Sequence, residues 1–182
     1  MSGFVLWFTG LSAAGKTTIA SNVAPELERR GLVVDHLDGD IVRTHLSRGL
    51  GYSKEDRDTN IARIAWVASR VARAGGAVIV SAISPYEEAR RNARALVEPH
   101  SPFVEVHVAT PIEECARRDP KGLYAKAFSG EIKEFTGVSD PYEAPESPEL
   151  RVDTESSTPE ESAQQILGKL AELGLVKEEV PA

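Results

Sequence analysis

The stretch GLSAAGKTT, residues 10–18, constrains this chain more than any other. It fits the spacing G-x-x-x-x-G-K-[ST], follows the apolar run FVLWF and leads into the helix-like IASNVAPELERR. That order predicts a strand, a phosphate-holding loop and a helix. Between Gly10 and Gly15 the loop carries Ala13 and Ala14, and backbone N–H groups from about Ala13 to Thr18 would cradle a β-phosphate. They do so at a helix N-terminus, whose dipole favours anions. Lys16 is expected to reach the β- and γ-phosphates, the Thr17 hydroxyl to ligate Mg²⁺, and Thr18 to touch the α-phosphate. The chain should therefore bind a nucleoside triphosphate with magnesium. A GTPase switch would need N-K-x-D, yet no Asn-Lys pair occurs, and the D-x-x-G at 119–122, DPKG, follows a helical pattern rather than a strand end.

The rest of the chain alternates apolar runs with amphipathic ones. A helix from about Lys16 to Arg30 stops at Gly31, and LVVDHLDGD reads as a second strand. Ser53 opens a long helix to about Ala74, AVIVSAI is a strand buried on both faces, and SPYEEARRNARALV is a helix. FVEVHVAT, TPIEECARR, LRVDT and TPEESAQQILGKLAEL continue the pattern as strand, short helix, short strand and capped helix. The alternation predicts an α/β fold with a mostly parallel central sheet and helices on both faces. With 182 residues, one domain is expected. Residues 119–149, rich in Lys, Gly, Pro and aromatics, break the rhythm and read as a mobile lid plus a substrate-facing loop.

Composition narrows the setting. A net charge of −7, from 21 basic and 28 acidic residues, disfavours a nucleic-acid coat or an anionic membrane surface. No apolar run approaches the roughly 20 residues of a membrane helix, and the N-terminus lacks the basic region of a signal peptide. Cys115, the single cysteine, excludes an internal disulfide and reads as a small buried helix residue. A soluble cytoplasmic protein is the expectation.

Phosphoryl transfer also needs an acceptor held in line and its proton accepted. Asp38 and Asp40 sit at the end of the second strand, where open α/β sheets bind ligands. Asp40 is read as the base or acceptor-orienting residue, and both carboxylates as magnesium partners; a plain turn with an N-cap Asp is the alternative. Arg43 follows, then Arg57, Asn60 and Arg63 at i, i+3 and i+6 on one side of a helix, with Tyr52 at its mouth. Arginines grip phosphate or sulfate oxygens and Tyr52 can stack on a purine, although a solvated charged face would look the same. Arg118 is a candidate cation for transition-state charge. Ser84, before Pro85 and three residues ahead of Glu87, reads as a capping box, with a substrate contact at the helix mouth or a phosphorylated serine as the functional alternative.

Taken in order, LWFTGLSAAGKTT, LDGDIVR, GYSKEDRDTNIAR, SAISPYEEAR, RRDPKGLYAKA and EIKEFTGVSDPYEAPESPE resemble the adenylylsulfate kinase (APS kinase) family over nearly the whole chain. The resemblance implies a P-loop NTPase fold. It also implies transfer of the γ-phosphate of ATP to the 3′-hydroxyl of adenosine 5′-phosphosulfate (APS), giving 3′-phosphoadenylylsulfate and ADP. Carried over by position, it implies ATP binding by Ala13 to Thr18 with Lys121 as a lid contact. APS binding falls to Asp40 to Arg43, Tyr52, Arg57 with Asn60, and Ile83 with Ser84. Phe135 would be the second half of an aromatic clamp on the adenine, opposite Tyr52, and Ser84 occupies a position described as a phosphoserine in some members. A homodimer and functional coupling to an ATP sulfurylase are also implied; no sulfurylase domain is expected within these residues. The chain departs from the family at Ala13, where glycine is usual, at Tyr52 for phenylalanine, at Ala116 for glutamate, and at Ala125 for lysine.

Overall fold

A computed structural model describes residues 3–177. Its centre is β1 (Phe4–Thr9), in which all six residues are buried, as the uninterrupted apolar run requires of a strand covered on both faces. After the loop come α1 (Lys16–Arg29), β2 (Val34–Asp38), α2 (Gly39–His45), α3 (Lys54–Arg73) and β3 (Ala77–Ser81). Then follow α4 (Glu87–Val97), β4 (Phe103–Val108), α5 (Ile112–Arg118), α6 (Leu123–Phe128), β5 (Leu150–Val152) and α7 (Pro159–Glu172). The five strands are all parallel in the order β2-β3-β1-β4-β5, with Leu6 opposite Ile79 on one side and Val104 on the other.

The alternation of β1 builds two cores. Phe4, Leu6 and Phe8 pack with Ile19, Val23 and Leu27 of α1 and Ile166 and Leu170 of α7. Val5 and Trp7 face Ile61, Ile64 and Ala68 of α3 and Ala89 and Ala93 of α4. The expected parallel sheet with helices on both faces is what forms. Because β1 lies between β3 and β4, the chain leaves it in one direction and later crosses to the other, which opens a crevice at the carboxyl ends of the strands. No helix among the described residues is long and apolar enough to cross a membrane.

Two local expectations change. The helix after β3 begins at Glu87 behind Tyr86, not at Pro85, and Ser84 makes no capping bond. Its backbone sits at φ 41°, and its hydroxyl accepts from Trp7 Nε1 at 3.1 Å, so a tertiary partner has taken the oxygen that a cap would use. Inside 119–149 the unforeseen α6 forms because the Asp119 carboxylate accepts from the backbone N–H groups of Tyr124 and Ala125, at 3.0 and 3.1 Å. Cys115 is buried in α5 as expected.

The last helix keeps its predicted start. Thr158 Oγ1 accepts from Glu161 N at 3.1 Å and Glu161 returns a bond to Thr158 N at 2.8 Å, with Pro159 in the first turn. Thr158→Ala should cost about 1 kcal/mol, lowering the midpoint in a thermal melt by roughly 2–4 °C for a chain of this size. An unchanged midpoint would show that packing of α7 on α1 alone sets its boundary.

Candidate active site

The loop between β1 and α1 lies flush against its neighbours. A side chain at Gly10 would put its Cβ 2.6 Å from the Val108 carbonyl, so only glycine lets β4 approach this closely. Ala13 adopts φ 61°, the left-handed region that glycine enters freely, which explains why glycine is usual there. The Ala14 carbonyl accepts from Thr110 Oγ1 at 2.8 Å and Thr154 Oγ1 at 3.1 Å, fixing that peptide before the helix begins.

Lys16 is 9% exposed and donates to the carbonyls of Gly10 at 2.9 Å and Leu11 at 2.7 Å. Burial pulls its ammonium down to about 8, with Cys115, Asp38 and Asp40 nearby pulling the other way. The loop thus holds a cation bonded to its own backbone. The next residue points outward, and Thr17 Oγ1 donates to Asp38 Oδ2 at 2.6 Å.

Asp38 ends β2 and caps α2, its Oδ1 accepting from Asp40 N at 3.0 Å. Burial raises its carboxyl, but the bonds from Thr17 and Asp40 outweigh it and the group lies below the usual carboxylate range. The N-cap alternative and the functional one therefore coincide in Asp38. Asp40, two residues further, is exposed and forms an ion pair with Lys121 across 81 residues of sequence. The 119–149 segment thereby reaches back to the start of α2, and its Tyr124 hydroxyl donates to the Ser12 carbonyl of the phosphate loop at 2.8 Å.

Arg57 and Asn60 are buried at the start of α3, whereas Arg63 is exposed and donates to the Leu46 carbonyl at 2.8 Å. The three share a helix side by spacing, yet only the first two turn inward. Arg57 donates to Thr136 Oγ1 at 2.7 Å, to the Glu134 carbonyl, and pairs with Asp140 at 2.9 Å. Asn60 accepts from Ser47. Arg43 donates to the Gly51 carbonyl at 3.0 Å and lies 4.3 Å over the Tyr52 ring. Tyr52 is exposed, and Phe135 stands edge-on to Tyr124 with ring centroids 5.0 Å apart.

Ile83 and Ser84 adjoin the loop through Thr9, whose hydroxyl bonds the Ile83 carbonyl at 2.7 Å. Ser84 is 2% exposed. Arg118 donates to the Thr154 carbonyl at 2.8 Å and Thr154 Oγ1 at 2.9 Å, beside Gly15, and pairs with Glu114 at 2.7 Å.

Several residues at this crevice carried no motif of their own. Thr154 has one signal, its place just past a strand end. Gly137 and Asp140 lie in the long loop, and a Cβ at Gly137 would come within 2.9 Å of Leu11 Cδ2, so the loop packs directly on the phosphate loop. Arg90 is fully buried and donates to the carbonyls of Ser84 and Glu143 at 2.7 Å each, tying β3's exit to the 140–149 strap. It pairs with Glu105 at 3.0 Å.

The family model for adenylylsulphate kinase matches residues 2–153. An adenylyl-sulfate kinase of Picosynechococcus sp. is 53% identical over 174 residues, covering 96% of this chain and 97% of that protein. A probable bifunctional SAT/APS kinase 2 of Sorangium cellulosum is 59% identical over 176 residues, which is 97% of this chain but 30% of that longer protein. Among solved structures, the APS kinase of Mycobacterium tuberculosis in complex with AMPPNP and APS aligns with a TM-score of 0.90 at 43% identity, over 93% of this chain and 98% of the other. By sequence along most of its length and by the arrangement of its strands and helices, this chain belongs to the adenylylsulphate kinase family.

Proposed function

We propose that this chain transfers the γ-phosphoryl group of ATP to the 3′-hydroxyl of APS, releasing 3′-phosphoadenylylsulfate and ADP. The observation that carries this is the convergence at one crevice of buried Lys16, the Thr17–Asp38 pair, exposed Asp40 and buried Arg57. ATP lies along the loop from Gly10 to Thr18, its phosphates facing the N–H groups and Lys16. Lys16 leaves the Gly10 and Leu11 carbonyls for the β- and γ-oxygens. Thr17 and Asp38 offer hard oxygens, the few protein ligands that Mg²⁺ takes beside phosphates and water. Asp40 has room to share that water shell. Bound there, the ion would neutralise charge on the β- and γ-phosphates.

On the acceptor side Arg43 and Arg57 hold the phosphosulfate, Asn60 and Arg63 support that helix face, and Ile83 and Ser84 wall the adenosine. Tyr52 and Phe135 close on its adenine as the 119–149 segment moves in. Asp40 orients the 3′-hydroxyl and accepts its proton as the oxygen bonds to Pγ. The Pγ–O bond to ADP breaks and its electron pair leaves with ADP. Arg118, with Thr154, and Lys121 supply cationic contacts on the ATP side. Ser84 works through the bond from Trp7 rather than as a phosphorylated intermediate, since its hydroxyl is buried and occupied.

The chain acts as one kinase domain in the cytoplasm, as a homodimer, on APS supplied by a sulfurylase. The test is ADP release with Mg·ATP and APS, run beside AMP, shikimate and no acceptor. Turnover with APS alone, with the product phosphorylated at the 3′ position, is the expected result. Turnover with AMP or shikimate instead would keep the ATP side and discard the acceptor side.

A further inference from the structure

The carboxyl half of the 119–149 segment is bound along α4, and the proposed reaction gives that contact no role. Three glutamates spaced by three, Glu143, Glu146 and Glu149, meet three arginines of the helix. Arg94 holds both Glu149 carboxylate oxygens at 2.8 Å, and Arg91 holds Glu146 at 2.5 Å. Arg90 meets Glu143 through the backbone instead. Its Nη2 donates to the Glu143 carbonyl at 2.7 Å, while its Nη1 donates to the Ser84 carbonyl at 2.7 Å. One planar fork therefore joins the strap to the exit of β3.

Further bonds close the same junction. Glu143 N donates to the Pro85 carbonyl at 2.8 Å, and Glu87 N donates to the Glu143 carboxylate at 2.7 Å. Thr9 has one hydroxyl proton, and its shortest contact, 2.7 Å to the Ile83 carbonyl, takes it. The Tyr142 hydroxyl is then the donor in its 2.9 Å bond to Thr9 Oγ1. Ser84 sits among these contacts at φ 41°, a strained backbone that persists only where the surroundings hold it. Trp7 on its hydroxyl and Arg90 on its carbonyl do so. Charge balance alone would not need this fork. Arg90 Nε stands 3.0 Å from Glu105 Oε1, yet neither atom has a hydrogen-bond partner. The aligned N–H groups go to the two carbonyls and to Glu87, and Glu105 balances charge only.

We infer that Arg90 is a positioning residue for the phosphoryl acceptor, setting the Ile83–Ser84 wall and the Tyr142–Glu143 end of the strap as one unit. Asp140 lies two residues before Tyr142, so the same unit fixes where Asp140 meets Arg57, at 2.9 Å. The ATP side is fixed elsewhere: Thr110 and Thr154 hold the Ala14 carbonyl, and β4 abuts Gly10. Loss of the fork therefore displaces the acceptor and spares ATP. The inference rests on the acceptor site proposed above.

The test compares two variants of the full chain. Arg90→Lys keeps the charge, but one ammonium cannot reproduce a planar fork across two carbonyls. Its kcat/KM for APS should fall by about 10²-fold, the cost of a misplacement near 1 Å. Its Kd for ATP, measured by calorimetry without acceptor, should not change. Glu105→Gln removes the charge partner and leaves the fork, so it should lower the melting midpoint and leave kcat/KM for APS unchanged. A purely stabilising Arg90 would make the two variants alike, with lower midpoints and, well below them, unaltered kinetics. That result overturns the inference, and so does a loss of ATP affinity in step with the loss for APS. If Arg90→Lys does not fold, Tyr142→Phe decides, because it removes one hydroxyl from the same junction and no charge. It should lower kcat/KM for APS by about 3–10-fold at constant ATP affinity, and unchanged kinetics overturn the inference. The wild-type assay reports on the kinase reading by itself. A chain that phosphorylates another acceptor overturns APS as substrate, and the same variants are then compared on that acceptor.

Discussion

Lys16→Met is expected to lower kcat/KM for ATP by about 10³-fold, with the chain still folding cooperatively. In the proposed reaction the ammonium meets the phosphate charge, and in a buried site such a cation is worth more than at a surface. Removing one preorganised donor of this kind typically costs 10²–10³ in rate, and in the proposed reaction the same group would also hold ATP. Methionine fills the slot along the helix start without a charge, so thermal unfolding separates lost chemistry from lost structure. Lys16→Arg should fail nearly as badly, because a planar fork does not fit a position shaped by two carbonyls within 3 Å of one nitrogen.

The same side chain sets a pH dependence. Burial has pulled Lys16 down to about 8 in the free protein, so a growing fraction is neutral as pH rises through that value. Bound phosphates favour the charged form. ATP affinity should therefore be full below pH 8 and fall above it, and ATP binding near pH 8 should take up a proton. Calorimetry in buffers of different ionisation enthalpy measures that uptake. An affinity flat from pH 7 to 9.5 would place the lysine outside the phosphate site.

Much of this was legible along the chain because it is local. The phosphate loop, the buried run of β1 and the Thr158 capping box each specify their geometry within about ten residues, where spacing and backbone chemistry decide. The failures are long-range. Ser84 has the neighbours of a helix cap, and it lost that role to Trp7, 77 positions away. Arg57, Asn60 and Arg63 share a helical side, yet the 134–140 segment and Ser47 draw the first two inward and leave the third outside. The pairing of Asp40 with Lys121 could not be read from either neighbourhood. Such contacts depend on where the fold brings the strap, and no local pattern encodes that.

Asp40→Asn should reduce kcat by about 10²–10⁴-fold while leaving KM for ATP nearly unchanged. The amide keeps the shape, and it keeps the N–H that Asp38 accepts, so α2 should start as before. What it loses is a charge able to orient the 3′-hydroxyl and take its proton. In the ligand-free protein Asp40 is held by Lys121, but the side chains are 76% and 57% exposed. A pair that open contributes little to stability and parts easily when substrates arrive. The variant should therefore melt with the wild type, and kcat should fall in step with kcat/KM, the pattern of an interaction made only in the transition state. A parallel rise in KM for APS with kcat intact would instead make Asp40 a binding residue. If Asp40→Asn keeps most of its turnover, the proton goes to solvent and the catalytic contribution of this end of β2 rests on Asp38, with Thr17 and the magnesium the two residues would hold.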